Sequence, residues 1–238
     1  MDATYSTQIN TAFAVTGEHL KRLCSLLAER IGPNKIELKS ANDVSHTFDE
    51  IAKVLEWENP KGNAIINLRI SARSKEFDKS ATVEFRSEFL PGIKIDVSAS
   101  DLVISRLRSD ILDVLAGTRP WFSKLTRFDF VVAGFLIIPI AALISLVLAG
   151  FGWFPTREQT PEEKTQSQAL AVLVGLGTVT VVLGGGIALN RFWSVIFPGA
   201  TFLIGQGMQR HEHMEKVRWG VVIAFVVSLA AGLVLLPL

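Results

Sequence analysis

From Phe130 to Phe154 the chain carries no ionisable side chain. The stretch is longer than the roughly 20 apolar residues that cross a bilayer as a helix. Read as a span, it divides the protein. Everything before it is a head on one face of a membrane, and everything after it returns through or along that membrane.

The residues on either side fit such a division. Residues 1–128 are mixed and charged, whereas 130–238 are mostly apolar. The sequence therefore predicts a soluble α+β domain over 1–117, an interfacial neck over 118–129 and a transmembrane domain over 130–238. The expected spans are 130–154, 169–190 and 219–238. A formal net charge of +1 argues against a nucleic-acid footprint, which needs a basic excess or stripe. The single cysteine, Cys24, excludes an intramolecular disulfide. Its neighbours Leu23 and Leu27 predict a buried thiol that behaves as a small hydrophobe. The opening residues, MDATYSTQINTAFAV, lack the basic and apolar regions of a signal peptide.

Within the head, residues 1–15 are polar with a weak apolar end and read as a flexible lead or an edge strand at Thr11–Val15. Thr16 is placed to cap a helix whose stripe is Leu20, Leu23, Leu27 and Ile31, ended by Gly32-Pro33. Residues 35–40 alternate and predict a strand. Thr47-Phe48-Asp49-Glu50 has the spacing of a capping box and predicts a second helix from there. Three alternating stretches follow: Ile66, Leu68 and Ile70; Val83 and Phe85; Ile93, Ile95 and Val97. They predict an antiparallel or mixed meander with helices on one face. Arg69, Glu84, Arg86, Lys94 and Asp96 fall on the other, either as a solvated face or as a docking surface. Ser100 is placed to cap a final helix with Leu102, Leu107, Ile111 and Leu115 toward the sheet. Strands clustered between helices give an α+β pattern.

In the neck, Trp121, Phe122, Lys124 and Arg127 combine aromatic rings with basic groups, the composition of a membrane anchor. Trp219 opens the last span in the same way. Lys and Arg are in excess in the neck and in 191–218 but not in loop 155–168. The positive-inside rule then places the head in the cytoplasm, with loop 155–168 and the C-terminus outside. Compactness suggests a bacterial inner membrane. Residues 192–207 are apolar but short for a span, and predict a re-entrant or interfacial hairpin turning at Pro198-Gly199. Small residues recur at every fourth position: Gly220, Ala224, Ser228 and Gly232; Thr180, Gly184 and Ala188; Ala141, Ser145 and Ala149. These ridges predict close helix packing, within one chain or in a homo-oligomer.

No catalytic signature emerges. His211-Glu212-His213 with Glu215 lacks the spacing and the distant ligands of a zinc site. The glycines at 175–177 and 184–186 follow no strand, so they are not nucleotide loops. The expected spans carry no Asp, Glu, Lys or Arg of the kind that marks proton relays. The sequence thus predicts a non-enzyme without metal or cofactor: a sensing or docking head coupled to an oligomerising membrane domain that alters permeability. The alternative is a tethered adaptor whose spans only anchor it. The head is expected to meet a cytosolic protein or a small ligand. In layout the chain resembles compact bacterial membrane effectors, including some used in anti-phage defence.

Overall fold

The computed structural model describes residues 2–87, 91–150 and 161–235. Side chains at 2, 141–142, 145–146, 148–150, 161–172, 174 and 233–235 are left aside. Two compact units emerge: Met1–Thr126 together with Ile196–Leu238, and Arg127–Val195.

The first unit is built on a six-stranded antiparallel sheet. Its strands are β1 (Asp2–Ile9), β3 (Asn34–Ser40), β4 (Ser45–Phe48), β5 (Ile65–Arg73), β6 (Ser80–Arg86) and β7 (Gly92–Ser100). Their order across the sheet is β1-β7-β6-β5-β3-β4. Alternation dictates the two faces. Ile36, Leu38, Leu68, Ile70, Val83, Phe85, Ile93, Ile95 and Val97 all point into one core. Two helices cover it. Leu20, Leu23, Cys24 and Leu27 are the buried stripe of α1 (Gly17–Arg30). Leu107, Ile111, Val114 and Leu115 are that of α3 (Asp101–Ala116). Burial pushes the Cys24 thiol up to about 11, so it is a packed apolar group rather than a nucleophile.

The local signals resolve unevenly. Thr16 caps α1 by accepting from His19 N at 3.2 Å, and His19 Nδ1 accepts from Thr16 N at 3.3 Å. This is a capping box with histidine in the acidic position. Ser100 occupies the N-cap of α3 but makes no side-chain cap bond. Leu102 is 63% exposed instead of facing the sheet. The residues expected to be a flexible lead form β1, paired with β7 from Asp2↔Ser100 to Ile9↔Ile93. Thr47 does not start a helix. It pairs with Glu37 in β4, and the short helix α2 (Ile51–Leu55) begins later, without a side-chain cap.

The open face of the sheet is charge-compensated. Arg69 lies opposite Glu84, and Glu84 opposite Lys94. Lys94 Nζ is 2.8 Å from Asp96 Oδ2, Ser6 Oγ donates to Asp96 at 2.7 Å, and Asn67 Nδ2 donates to Glu84 at 2.8 Å. Cross-strand pairs of this kind stabilise a solvated face and leave little unanswered charge to recruit a partner.

The segment expected to re-enter a membrane is part of this unit. Helix α5 (Pro161–Ile196) ends before Pro198, and β8 (Ala200–Leu203) then pairs in parallel with β2 (Phe13–Thr16). Phe202 and Ile204 are buried in the head core. Phe13 packs edge-on against both Phe85 and Phe202, with centroids 5.6 and 5.7 Å apart. The re-entrant hairpin is thus corrected: Phe202 and Ile204 are core residues of an α+β domain, with Ala200 packed against that core. Pro198 and Gly199 form the entry into β8, with Phe13 N donating to Gly199 O at 3.0 Å. They are not a turn at membrane depth.

The second unit pairs α4 (Phe130–Gly150) with α5. Asp129 Oδ1 accepts from Val131 N at 2.8 Å and Val132 N at 3.2 Å, closing the N-terminus of α4. Asn190 of α5 ties in by donating to Asp129 at 2.9 Å and accepting from Phe130 N at 2.8 Å. The helices meet at Gly134 and Gly186. A Cβ there would lie 2.6 Å from Val182 Cγ1 and 2.8 Å from Val131 Cγ2, respectively.

A three-span membrane domain is not what the structure shows. Among the described residues one helical stretch, Gly175–Ile196, is long and apolar enough to cross a membrane. Phe130–Ile140 is apolar but shorter. The third expected span continues α6 (Gln206–Leu235), which follows directly on β8, and its last residues, 236–238, lie outside the described residues. The expected loop over 155–160 lies outside the described residues, and from Pro161 onward the chain is helical. One candidate span defines no multi-pass topology. The placement of the head in the cytoplasm, of the C-terminus outside, and of the whole in a bacterial inner membrane therefore loses its basis. So does the bilayer-embedded oligomer. The oligomerising effector and the multi-span tethered adaptor both required that domain, and neither stands.

Candidate functional site

A cleft of about 250 Å3 opens in the first unit where β8 and α6 meet the start of β5 and the end of β6. Its polar lining is Asn59, Ser87, Thr201, Arg210, His211 and Arg218. The volume corresponds to about eight water molecules at the ~30 Å3 each occupies in the liquid.

Asn59 fixes the cleft's floor. Its backbone is left-handed, at φ 49°, a region that asparagine tolerates better than most residues. Its side chain is buried and fully used. Nδ2 donates to Phe202 O at 3.1 Å and to Ile204 O at 3.2 Å, and Oδ1 accepts from Ile65 N at 3.0 Å. One residue therefore clips β8 to the head across more than half the chain. An Asn59→Ala variant leaves an N–H and two carbonyls without these partners and is expected to lose about 3 kcal/mol of unfolding free energy. Equilibrium urea denaturation checks this; a loss within the ~0.5 kcal/mol of an ordinary surface change would show that the clip is not structural.

Two arginines of α6 have different tasks. Arg218 is 1% exposed. Its Nε donates to Ile196 O and its Nη1 to Glu215 Oε2, both at 2.7 Å, and its guanidinium lies 4.2 Å from the Phe122 ring centroid. Its charge is answered, and it serves the packing of α6. Arg210 has no ion pair among the described residues. Its Nη1 donates to the neutral carbonyl of Asn59 at 2.7 Å, which holds the side chain in place and leaves its charge uncompensated.

Two further groups are poised without partners. Thr201 Oγ1 and His211 Nδ1 are buried and make no hydrogen bond among the described residues. Leaving such a group unpaired costs about 1–3 kcal/mol. Burial, reinforced by Arg218, holds His211 below its ordinary pKa against the opposing pull of Glu215 and Glu212. Its other nitrogen, Nε2, is 3.7 Å from Glu215 Oε2. Ser87 Oγ donates to Ile66 O at 2.8 Å.

The residues singled out from the sequence lie elsewhere, mostly outside the cleft. Trp121 and Trp219 stack on each other with centroids 5.5 Å apart, and both are about half exposed. Trp121 Nε1 donates to Glu215 at 2.9 Å. Phe122 is buried beneath Arg218, whereas Lys124 and Arg127 are exposed. Of the expected anchor set, then, Trp121, Phe122 and Trp219 are brought together around Arg218 and Glu215. Gly220, Ala224, Ser228 and Gly232 are exposed, as are Thr180, Gly184 and Ala188. A Cβ added at Gly184, Gly220 or Gly232 would meet nothing within 4 Å. The ridge residues Ala141, Ser145 and Ala149 lie outside the described side chains. Pro198 lines the cleft.

The sequence alone gives no functional role to Asn59, Thr201 or Arg210, and His211 was weighed only as a metal ligand in the His211-Glu212-His213 set. One signal was available. Residues 200–204 alternate between bulky apolar positions at 202 and 204, bounded by Pro198-Gly199 and Gly205, which is the signature of a short strand between turns.

Among the described residues no group of three or more His, Cys, Asp or Glu is placed to hold a metal ion. No family model, no curated protein and no solved structure matches this chain.

Proposed function

We propose that the protein is a non-catalytic ligand-binding module and that its site is the cleft between β8, the start of β5 and α6. The observation that carries this reading is the fixed guanidinium of Arg210 in a cleft whose wall includes Thr201 and His211, each with a buried polar atom, Oγ1 and Nδ1, that has no hydrogen-bond partner among the described residues. Native proteins pair nearly all buried polar groups, so exceptions that converge on a cavity point to something that completes them.

Binding is favoured over catalysis by how the groups are arranged. A hydroxyl nucleophile needs a base within hydrogen-bond reach. Among the described residues neither Thr201 Oγ1 nor His211 Nδ1 makes a hydrogen bond, so the two do not form such a pair through these atoms, and the Ser87 hydroxyl is committed to a backbone carbonyl.

Ala64 lines the cleft, and a phenylalanine there would narrow it. A thermal-shift screen of a broad small-molecule library against the wild type and Ala64→Phe tests the reading. Compounds that raise the melting temperature of the wild type should leave that of the variant unchanged. If every stabilising compound acts equally on both, the cleft is not the binding site.

A further inference from the structure

We propose that the cleft takes a small oxoanion, a carboxylate or phosphate group on a compact organic molecule, gripped by Arg210, Thr201 and His211. This rests on the reading of the cleft as a binding site and adds the chemistry of what enters it.

The lining decides the sign. Its charged members among the described residues are Arg210 and Arg218, with the imidazole of His211 between them in sequence, and no carboxylate is among them. Glu215 answers Arg218 at 2.7 Å, so the surplus positive charge belongs to Arg210. That charge is held ready. The Asn59 carbonyl engages one Nη1 bond, and Asn59 itself is locked by three side-chain hydrogen bonds. A guanidinium offers five donors in a planar fork that matches carboxylate and phosphate oxygens. A side chain already fixed in its bound geometry loses little entropy on binding. Thr201 Oγ1 and His211 Nδ1 are covered by their neighbours in the cleft wall and reach an anion by turning toward it, Thr201 as a hydroxyl donor and His211 in the tautomer or charge state that carries a proton on Nδ1. The 250 Å3 available exceeds what a single oxoanion needs and leaves room for a small organic body. Ala64, Ile65, Ala200, Phe202 and Met214 give that body an apolar lining.

The test is isothermal titration of the full chain with inorganic phosphate and, separately, with acetate, at constant ionic strength in chloride. One anion, or both, is expected to bind with one-to-one stoichiometry, and the stronger of the two identifies the source. Arg210→Gln should weaken binding at least tenfold. Thr201→Val, which keeps shape and loses the hydroxyl, should weaken it at least threefold and guards against misfolding of the arginine variant. Binding unchanged in both variants overturns the proposal, as does the absence of binding by either anion. If the compounds displaced by Ala64→Phe are neutral and indifferent to Arg210→Gln, the cleft is a binding site but not for anions. If Ala64→Phe displaces nothing, both readings fall together.

Discussion

A Gly205→Val variant is expected to lose at least ~4 kcal/mol of stability, a loss reached only by a few kinds of damage. Two independent effects add here. Gly205 has φ +50°, a left-handed conformation that a β-branched residue adopts only under strain. A Cβ at this position would also collide with the backbone carbonyl oxygen of Glu58 and lie 2.5 Å from that of Trp57. The Glu58 oxygen cannot give way freely, because Gln206 N donates to it at 2.7 Å at the start of α6. Gly205→Asn separates the causes, since asparagine accepts the left-handed region but still carries a Cβ. It should recover only the conformational part. Gly220→Val on α6 is the control: its Cβ meets nothing within 4 Å, and valine exceeds glycine in helix propensity. Urea denaturation of the three variants, with circular dichroism as the readout, is the measurement. Equal stability of Gly205→Val and Gly220→Val would show that the approach of 205 to Glu58 is not part of the native fold.

How far the sequence revealed this arrangement depends on distance along the chain. The β5–β6–β7 meander was legible because its pattern is local: Leu68 and Ile70, Val83 and Phe85, Ile93 and Ile95 alternate with polar residues, and short turns set their order. The α1 stripe was legible for the same reason. β1 was not, because Thr4, Ser6 and Gln8 on one side face only Ala3, Tyr5 and Thr7 on the other, a contrast too weak to read without its partner β7. At Thr47 two local preferences competed. The capping-box spacing favoured a helix, and antiparallel pairing with β3 prevailed. The largest error has a physical cause. An apolar segment reports that it must leave water, not whether lipid or a protein core receives it. Phe202 and Ile204 were read as part of a re-entrant or interfacial hairpin, yet they fill the head core beside Phe13, a contact no local pattern announces. The candidate site inherits this difficulty. Asn59, Thr201 and Arg210 come from remote parts of the chain and meet only because β8 pairs with β2.

Arg218 gives the second large effect, and it separates charge from packing. Arg218→Ala removes a fully buried side chain, deprives Ile196 O of its donor, takes the counter-ion from Glu215 and uncovers the Phe122 ring. Breaking a buried ion pair from one side costs about 3–5 kcal/mol when the stranded partner stays buried. Glu215 is partly exposed and keeps its bond from Trp121, so the expected loss is at the lower end, about 3 kcal/mol. Arg218→Met replaces the guanidinium over the Phe122 ring with an unbranched apolar chain and should recover part of that loss. Adding Glu215→Gln to Arg218→Met removes the stranded charge, and the double variant should be more stable than Arg218→Met alone. If the double variant is instead less stable, Glu215 acts chiefly through Trp121 and not as the counter-ion of Arg218. The cycle also bears on the cleft. Arg210 is bound to Asn59 and not to this network. The double variant leaves Arg210 in place and disturbs the cleft through Arg218 and His211, so anion affinity corrected for the fraction folded should fall less in it than in Arg210→Gln, which weakens binding without a comparable change in stability.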